Sequence, residues 1–356
     1  MLNSLYEKAI AKRGLIRGIS PDTDVTPQLE YNWFDRTIGE SSKDFSIAAG
    51  DGSFNKKKFL TTNFCAVGAE SIIYDGKIKK IEDSDIFDIA HVSFLDELLS
   101  TYMAIYELKC ALRSIRDYDV DYYMFDGSIL GDLQNAFPRG AKLPSDLRKN
   151  MDDSLLAEFE NRLSIRDYGM VFPQIRDSYR LVKLPRTDSD KTEEYNLHLA
   201  SVEKIILLKE LLQYRKRIIS ISKTSSDNDL FGWNIPDIAF LDKFTQKQGM
   251  TRITYKNVYD QAAFQYFNDF FKSLTFTVFY VRLQDNKNVL KVELPYRASK
   301  QEVFEIMRKI NVLAVQGYPY LLNKAHNDVV ITGRNMKELM KIARIHETTN
   351  REVMSW

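Results

Sequence analysis

The longest regular pattern in the chain is helical, because apolar residues recur every three or four positions from Ser93 to about Arg116. Leu98 and Tyr102 lie near the centre of this apolar stripe. The pattern predicts a long amphipathic helix that leads directly into a strand at residues 121–125. Similar spacing predicts further helices at residues 1–18, 200–214, 300–313 and 334–347.

Shorter runs of β-branched and aromatic residues predict strands between these helices. One strand is expected at residues 44–50, and two more flank a Tyr-Asp-Gly turn at 74–76. The run "RIISISKTS" predicts a strand that ends near Lys223. The runs "LTFTVFYVRL" and "NVLKVELPY" predict an antiparallel pair joined by a turn at 285–288.

Helices and strands interleave along the chain instead of separating into blocks, which is typical of an α/β fold. We therefore expect one α/β domain at residues 44–347, with a mixed sheet flanked by helices and a helical insertion at about 140–200. Residues 1–43 are expected to form an N-terminal helical extension.

The composition describes a globular protein without a membrane anchor. The 356 residues are 44% apolar and 28% charged, and no apolar run approaches the roughly 18 residues that a transmembrane helix needs. The N-terminus lacks the continuous apolar stretch of a secretory signal, and the two cysteines, Cys65 and Cys110, form no CxxC motif. These features predict an intracellular, cytoplasmic protein.

The net charge of +1 gives no overall bias toward nucleic acid, so a polyanion site would have to be a local patch. Basic clusters occur at residues 56–58, 77–80 and 215–217. Taken singly, each cluster is more typical of a solvated surface than of a binding site.

One tripeptide ends two apolar runs: Asp51 begins the first Asp-Gly-Ser and Asp126 begins the second. Both could be ordinary turns, because Asp and Gly favour turn conformations. If the two strands lie side by side and parallel, however, the two carboxylates would face each other about 4.8 Å apart. Such a pair suits Mg²⁺ or Mn²⁺, which prefer oxygen ligands. Both interpretations remain open on these residues alone.

Other candidate groups are few, since the chain has no GxxxxGK[ST], HExxH, GxSxG or GxGxxG motif. His326 lies between a helical pattern and a short strand pattern, where it could be a metal ligand, a proton-transfer group or a packed residue. Asp328 could be another oxygen ligand, although a turn residue is favoured. Glu97 and Glu107 of the long helix are additional candidate acids, but both lie away from its apolar stripe, where periodicity favours a solvated face. The other histidines fall in helical or helix-flanking stretches and suggest surface or packed positions: His91, His198 and His346.

Five motifs in order resemble those of the NurA nuclease family: "IAAGDGSF", "YELKCAL", "VDYYMFDGSIL", "RIISISKTS" and "YPYLLNKAHNDVVI". The resemblance spans about residues 44–332. It implies a ribonuclease H-like fold with a Mn²⁺-dependent site, Mg²⁺ being possible, that hydrolyses DNA. It further implies 5′→3′ exonuclease activity on single- and double-stranded DNA and endonuclease activity on single strands.

The resemblance also implies biological partners. Family members accompany the archaeal HerA helicase-translocase, so the chain is expected to be a homodimer that docks on the HerA hexamer. Its role would then be DNA end resection in double-strand break repair and homologous recombination, in the nucleoid.

Carried over motif by motif, the resemblance assigns roles to individual residues. Asp51 and Asp126 would be the central metal ligands, Glu107 matches the family's helix acid better than Glu97, and His326 matches the histidine of the last motif. Lys223 would lie near the scissile phosphate. Contacts to DNA would come from a lysine run and two aromatic residues: Lys56, Lys57, Lys58, Phe54 and Tyr318.

Two other classes remain as alternatives. An actin-like phosphotransferase would have a similar sheet, but it needs Asp-x-Gly-[Ser/Thr] loops and a Gly-Gly adenosine motif, and the sequence has neither. A catalytically silent DNA-binding module on the same fold is the second alternative, and the intact acids in every motif argue against it.

Overall fold

A mixed β-sheet forms the centre of the fold. The computed structural model describes residues 3–13, 26–42, 44–134, 153–165, 168–179, 189–258 and 267–345. In chain order, the strands are β1 (Trp33–Asp35), β2 (Ile47–Lys58), β3 (Thr62–Tyr74), β4 (Ile78–Ala90), β5 (Tyr122–Asp126), β6 (Ile218–Ser222), β7 (Gly249–Thr251), β8 (Thr254–Asn257), β9 (Thr275–Arg282), β10 (Leu290–Leu294), β11 (Ala314–Val315) and β12 (Tyr318–Pro319).

Helices connect and cover these strands. In chain order, they are α1 (Asn3–Ala11), α2 (Thr26–Asn32), α3 (Leu95–Tyr118), α4 (Ile129–Gln134), α5 (Asp153–Ile165), α6 (Phe172–Tyr179), α7 (Ser189–Leu212), α8 (Asp237–Phe244), α9 (Asn268–Lys272), α10 (Lys300–Val312), α11 (Tyr320–Val329) and α12 (Gly333–Ile342). Within the described residues, no helix is long and apolar enough to cross a membrane.

Five strands form a ribonuclease H-like half of the sheet, in the order β4-β3-β2-β5-β6. Strands β2, β3 and β4 make an antiparallel meander, whereas β5 pairs parallel to β2 and β6 pairs parallel to β5. The long helix α3 connects β4 to β5. Such a crossover is needed because β5 runs parallel to its neighbour β2. The predicted α/β fold class is confirmed.

The sheet continues beyond β6 through β10, β9, β7 and β1, and β8 pairs with β9. Strands β9 and β10 are antiparallel, as predicted, with Leu290 opposite Val281. Helices cover both faces of the sheet. Because side chains alternate along a strand, Ala48 packs toward α3 and α7, while Ile47 and Ala49 pack toward α10 and α11.

Most of the predicted elements are confirmed, including the hairpin of β3 and β4 around residues 75–77 and the long helix α3. Among the described residues between α4 and β6, where the insertion was predicted, there are three helices, α5 to α7; residues 135–152, 166–167 and 180–188 lie outside the described residues. The proposed domain boundaries stay a prediction. His346 and residues 14–25 of the N-terminal extension also lie outside the described residues.

Two local predictions are wrong. The first Asp-Gly-Ser is not a turn at the end of a strand, because β2 continues through it to Lys58 and Asp51 pairs directly with Glu70 of β3. A long neighbouring strand therefore supplies the backbone pairing that the local sequence does not suggest. Likewise, His326 lies within helix α11, and no strand follows α11 before α12.

Candidate active site

Strand pairing brings the two Asp-Gly-Ser segments together. Strands β2 and β5 run parallel, and their pairing ends with Gly50 opposite Phe125, so Asp51 and Asp126 come next on neighbouring strands. One ligand atom each from Asp51, Asp126 and His326 lies within 4.8 Å of the others. This is the geometry that the paired-carboxylate interpretation predicted.

His326 reaches the acids from helix α11, which packs on the face of the sheet that carries Asp51. Its Nδ1 lies 2.7 Å from Oδ2 of Asp51, and the other carboxylate oxygen of Asp51 accepts a 2.9 Å hydrogen bond from the Gly52 amide. Burial raises the pKa of Asp51, and the neighbouring charge of Asp126 adds to this effect. The Asp51 carboxylate is therefore held in place by hydrogen bonds, while its surroundings disfavour its negative charge.

Asp126 is oriented by two donors that bind the same oxygen. Lys223 Nζ and the Tyr318 hydroxyl donate to its Oδ2 at 2.9 and 3.2 Å. Lys223 follows directly after β6, which pairs parallel to β5 with Ile221 opposite Asp126. The Lys223 ammonium also lies 4.4 Å from the centre of the Tyr318 ring. Tyr318, predicted to stack on a base, is thus a positioning group for Asp126, and burial together with that carboxylate raises its pKa.

Glu107 approaches from the opposite face of the sheet, on helix α3. A side chain at Gly52 would collide with Oε1 of Glu107 and with Met103, so the missing Cβ of Gly52 makes room for the glutamate. Burial raises the pKa of Glu107 to about 8, and the charge of Asp51 is the next cause. Glu107 lies outside the cluster of three ligand atoms but within its electrostatic field.

The structure separates the two candidate glutamates of α3. Glu97 lies ten residues before Glu107, which is about 15 Å along a helix. Periodicity suggested a solvated face for both residues. Glu107 is instead half-buried, because its side chain lies over Gly52 of β2, between α3 and the sheet.

The predicted DNA-contacting lysines do not share one surface. Side chains alternate along β2, so Lys57 lies on the Asp51 side of the sheet, while Lys56 and Lys58 lie on the other. Lys56 is paired with Asp96 of α3, and Phe54 packs against the core under that helix. A stacking role for Phe54 therefore has no geometric support.

Asp328 belongs to an ion-pair network on helix α11. It lies 2.6 Å from Lys80 and 2.8 Å from Lys324, so it is neither a turn residue nor a member of the cluster of ligand atoms. Lys80 in turn lies 3.1 Å from Glu70, the residue opposite Asp51. Two lysines therefore neutralise this acid beside the site.

Sequence reasoning missed one carboxylate that shapes the site. Glu293 of β10 is fully buried and accepts hydrogen bonds from the Ser128 hydroxyl at 2.7 Å and from the Leu130 amide at 3.1 Å. Lys291, also buried, lies 2.7 Å from it. These contacts fix the turn that follows Asp126. Two charged residues within the otherwise apolar strand "LKVEL" are the sequence signal that could have revealed them.

These features define a class of protein: a ribonuclease H-like fold with an acidic site, built from two aspartates, a helix glutamate and a histidine. The sequence profile described as the NurA domain matches residues 45–331. The chain belongs to the NurA family.

Individual relatives agree with this assignment. The chain is 30% identical to a probable DNA double-strand break repair nuclease NurA from Methanocaldococcus jannaschii, over 88% of this chain and 82% of the relative. It is 24% identical to the NurA of Saccharolobus solfataricus, over 98% of this chain and 97% of the relative.

Solved structures show the same fold. The NurA nuclease from Sulfolobus solfataricus matches with a TM-score of 0.73 and 24% identity, over 96% of both chains. A NurA bound to dAMP and manganese matches with a TM-score of 0.67 and 14% identity, over 99% of both chains.

Proposed function

We propose that this protein is a metal-dependent nuclease that hydrolyses phosphodiester bonds in DNA. The observation that carries the proposal is the convergence of Asp51, Asp126 and His326 within 4.8 Å, with Glu107 beside them. The relatives, which are named as DNA double-strand break repair nucleases, support the same chemistry.

The donor set fits a divalent cation such as Mn²⁺ or Mg²⁺. Asp51, Asp126 and His326 would hold it, with Glu107 placed to ligate it directly or through water. Burial is the main cause of the raised pKa of Asp51, and the charge of the neighbouring Asp126 adds to it, so a cation beside the two carboxylates would be favoured. A mixed set of carboxylates and imidazole suits Mn²⁺, and a relative of this fold was solved with manganese. When bound, the cation would activate water and stabilise the charge that develops on the phosphate.

The residues of the chain have separate tasks in this mechanism. Lys223 and Tyr318 hold Oδ2 of Asp126, so the other carboxylate oxygen stays available for the cation. The Lys223 ammonium also supplies positive charge where negative charge builds on the phosphate. Glu107, in its carboxylate form, is placed to accept the proton that the attacking water loses. Hydrolysis then forms a bond from the water oxygen to phosphorus and breaks the bond to the leaving oxygen, which takes up a proton.

The finer parts of the proposal derive from the family resemblance alone. They are 5′→3′ exonuclease activity on single and double strands, endonuclease activity on single strands and a preference for Mn²⁺. They also include homodimer formation and docking of the dimer on an archaeal HerA hexamer. The process would be DNA end resection, and its location the cytoplasm, in association with the nucleoid.

The central test is cleavage of an end-labelled oligonucleotide with Mn²⁺, with excess chelator and with the Asp126→Asn variant. We expect cleavage in the first case only. Labels at the 5′ and 3′ ends in separate reactions would give the polarity. ATP turnover without cleavage would favour the phosphotransferase alternative, and DNA binding without either activity would favour the silent binding module.

A further inference from the structure

Two cavities open near the acids, and their linings differ in charge. The first, of about 580 Å³, is bordered by Ser128 and lined by three aspartates: Asp227, Asp229 and Asp237. The lysines in its wall are already neutralised, because Lys256 and Lys291 both lie within 3.0 Å of Asp227. Arg252 is a third basic residue of the lining, so three acidic and three basic side chains balance and leave no net positive charge for an anionic ligand.

The second cavity, of about 630 Å³, has basic residues but no acidic residue in its described lining. The described residues that line it include two lysines and several uncharged polar groups, and no carboxylate. Its lysines are Lys223 and Lys287, and the Lys287 ammonium makes no ion pair within the described part of the chain. Its volume falls within the roughly 300–1,000 Å³ of small-molecule sites.

This second cavity is continuous with the candidate active site. Lys223 and Tyr318 line it, and both donate hydrogen bonds to Asp126. Helix α11 adds Tyr320 and Asn323, which precede His326 at steps of three residues and so follow one another along the helix surface. Tyr320 is therefore about 9 Å along the helix from the histidine.

A two-stranded hairpin forms one wall of this cavity. Strands β11 and β12 form a hairpin whose turn residues, Gln316 and Gly317, both have positive φ, as a two-residue hairpin turn of this kind requires. Gly317 packs so closely on Lys287 that a Cβ would lie 2.7 Å from the lysine's own Cβ. The hairpin and Lys287 thus form a closely packed wall of the cavity, near Tyr320, which is 43% exposed.

We propose that this second cavity binds the single-stranded nucleotides next to the scissile phosphate, with Tyr320 stacking on a base and Lys287 contacting the backbone. Positively charged grooves with exposed aromatic rings are how proteins hold single strands without sequence preference. The proposal rests on the proposed nuclease function and adds the location of the DNA strand beside the active site. Tyr320 would take the stacking role that Tyr318, bonded to Asp126, does not have.

The test measures DNA binding without cleavage. A fluorescent single-stranded oligonucleotide of about ten nucleotides is titrated with the full chain in excess chelator, and anisotropy gives the Kd. Tyr320→Ala should weaken binding about tenfold, whereas Tyr320→Phe should bind almost as the wild type, because stacking needs only the ring. Lys287→Ala should lower the slope of log K against log salt concentration by about 0.7.

Tyr255→Ala is the matched control, since Tyr255 is 42% exposed and lines the first cavity, whose charges balance. It should bind DNA as the wild type does, and unchanged melting temperatures would show that the variants are folded. Wild-type affinity in Tyr320→Ala, or equal weakening by Tyr255→Ala, would overturn the inference. If the wild type still cleaves DNA in that case, the proposed function stands; if it neither binds nor cleaves, both are wrong.

Discussion

Replacing Glu107 with glutamine tests the electrostatics of the site in the absence of metal. The pKa of Glu107 is raised from 4.5 to about 8, mainly by burial and then by the charge of Asp51. The native state therefore keeps a proton on this carboxyl over a pH range in which the unfolded chain has lost it. The free energy of unfolding should fall as pH rises from about 4.5 to about 8 and change little from this group outside that range.

The size of the effect follows from the same pKa. At about 1.36 kcal/mol per pH unit, the change from 4.5 to about 8 corresponds to at most about 5 kcal/mol. Glutamine resembles the protonated side chain at every pH. The Glu107→Gln variant should therefore match the wild type at pH 4.5 and be more stable by several kcal/mol at pH 8.5.

Urea unfolding, followed by tryptophan fluorescence in excess chelator, would measure this difference at both pH values. The control is Glu97→Gln, which makes the same substitution on the same helix about 15 Å from Glu107. Nuclease activity should fall by about two orders of magnitude or more in Glu107→Gln, because the proton acceptor is lost. An unchanged pH dependence of stability in Glu107→Gln would refute the assignment of a buried, protonated carboxyl.

Four further changes address the rest of the site and its partners. Asp126→Asn should lower the cleavage rate by several orders of magnitude while melting in chelator at the same temperature or higher, because it removes one of two repelling charges; near-normal cleavage would end the paired-carboxylate hypothesis. His326→Ala should lose Mn²⁺ affinity measured by calorimetry, and extra Mn²⁺ should restore part of the activity; rescue only by a better leaving group would instead identify a proton donor. Glu293→Gln should cost about 2 kcal/mol in urea unfolding, because Lys291 loses one of its two carboxylate partners and keeps only Asp227; a neutral result would contradict its role in fixing the turn. Deletion of residues 1–13 should abolish co-elution with HerA if α1, whose described side chains are all exposed, is the docking element.

Local patterns were sufficient for much of the fold. The spacing of Leu98 and Tyr102 identified helix α3, and the Tyr-Asp-Gly turn identified the hairpin of β3 and β4. These features depend on the amphipathic periodicity of a segment and on turn chemistry, both of which are properties of neighbouring residues. The repeated Asp-Gly-Ser likewise indicated a paired-carboxylate site, because equivalent residues on neighbouring parallel strands lie side by side.

Long-range pairing decided what the local pattern got wrong. No residue near Asp51 indicates that β2 continues to Lys58. The strand continues because β3 pairs with it and provides backbone hydrogen bonds along the whole segment. Similarly, Glu107 was expected on a solvated face, since periodicity detects only the first apolar stripe of a helix. The contact of Glu107 with Gly52 of β2 shows that the sheet covers this part of the helix as well.

The chemistry of the site depends on contacts between residues that are far apart in sequence. The pairing of β2 with β5 sets Asp51 beside Asp126, β6 delivers Lys223, and α11 delivers His326. These residues could be identified as candidates from the sequence, because the chemistry of a carboxylate, an imidazole or an ammonium group is a property of the side chain itself. Which oxygen each group binds, and which pKa values rise, follows only from distance and burial, and these two quantities exist only once the chain is folded.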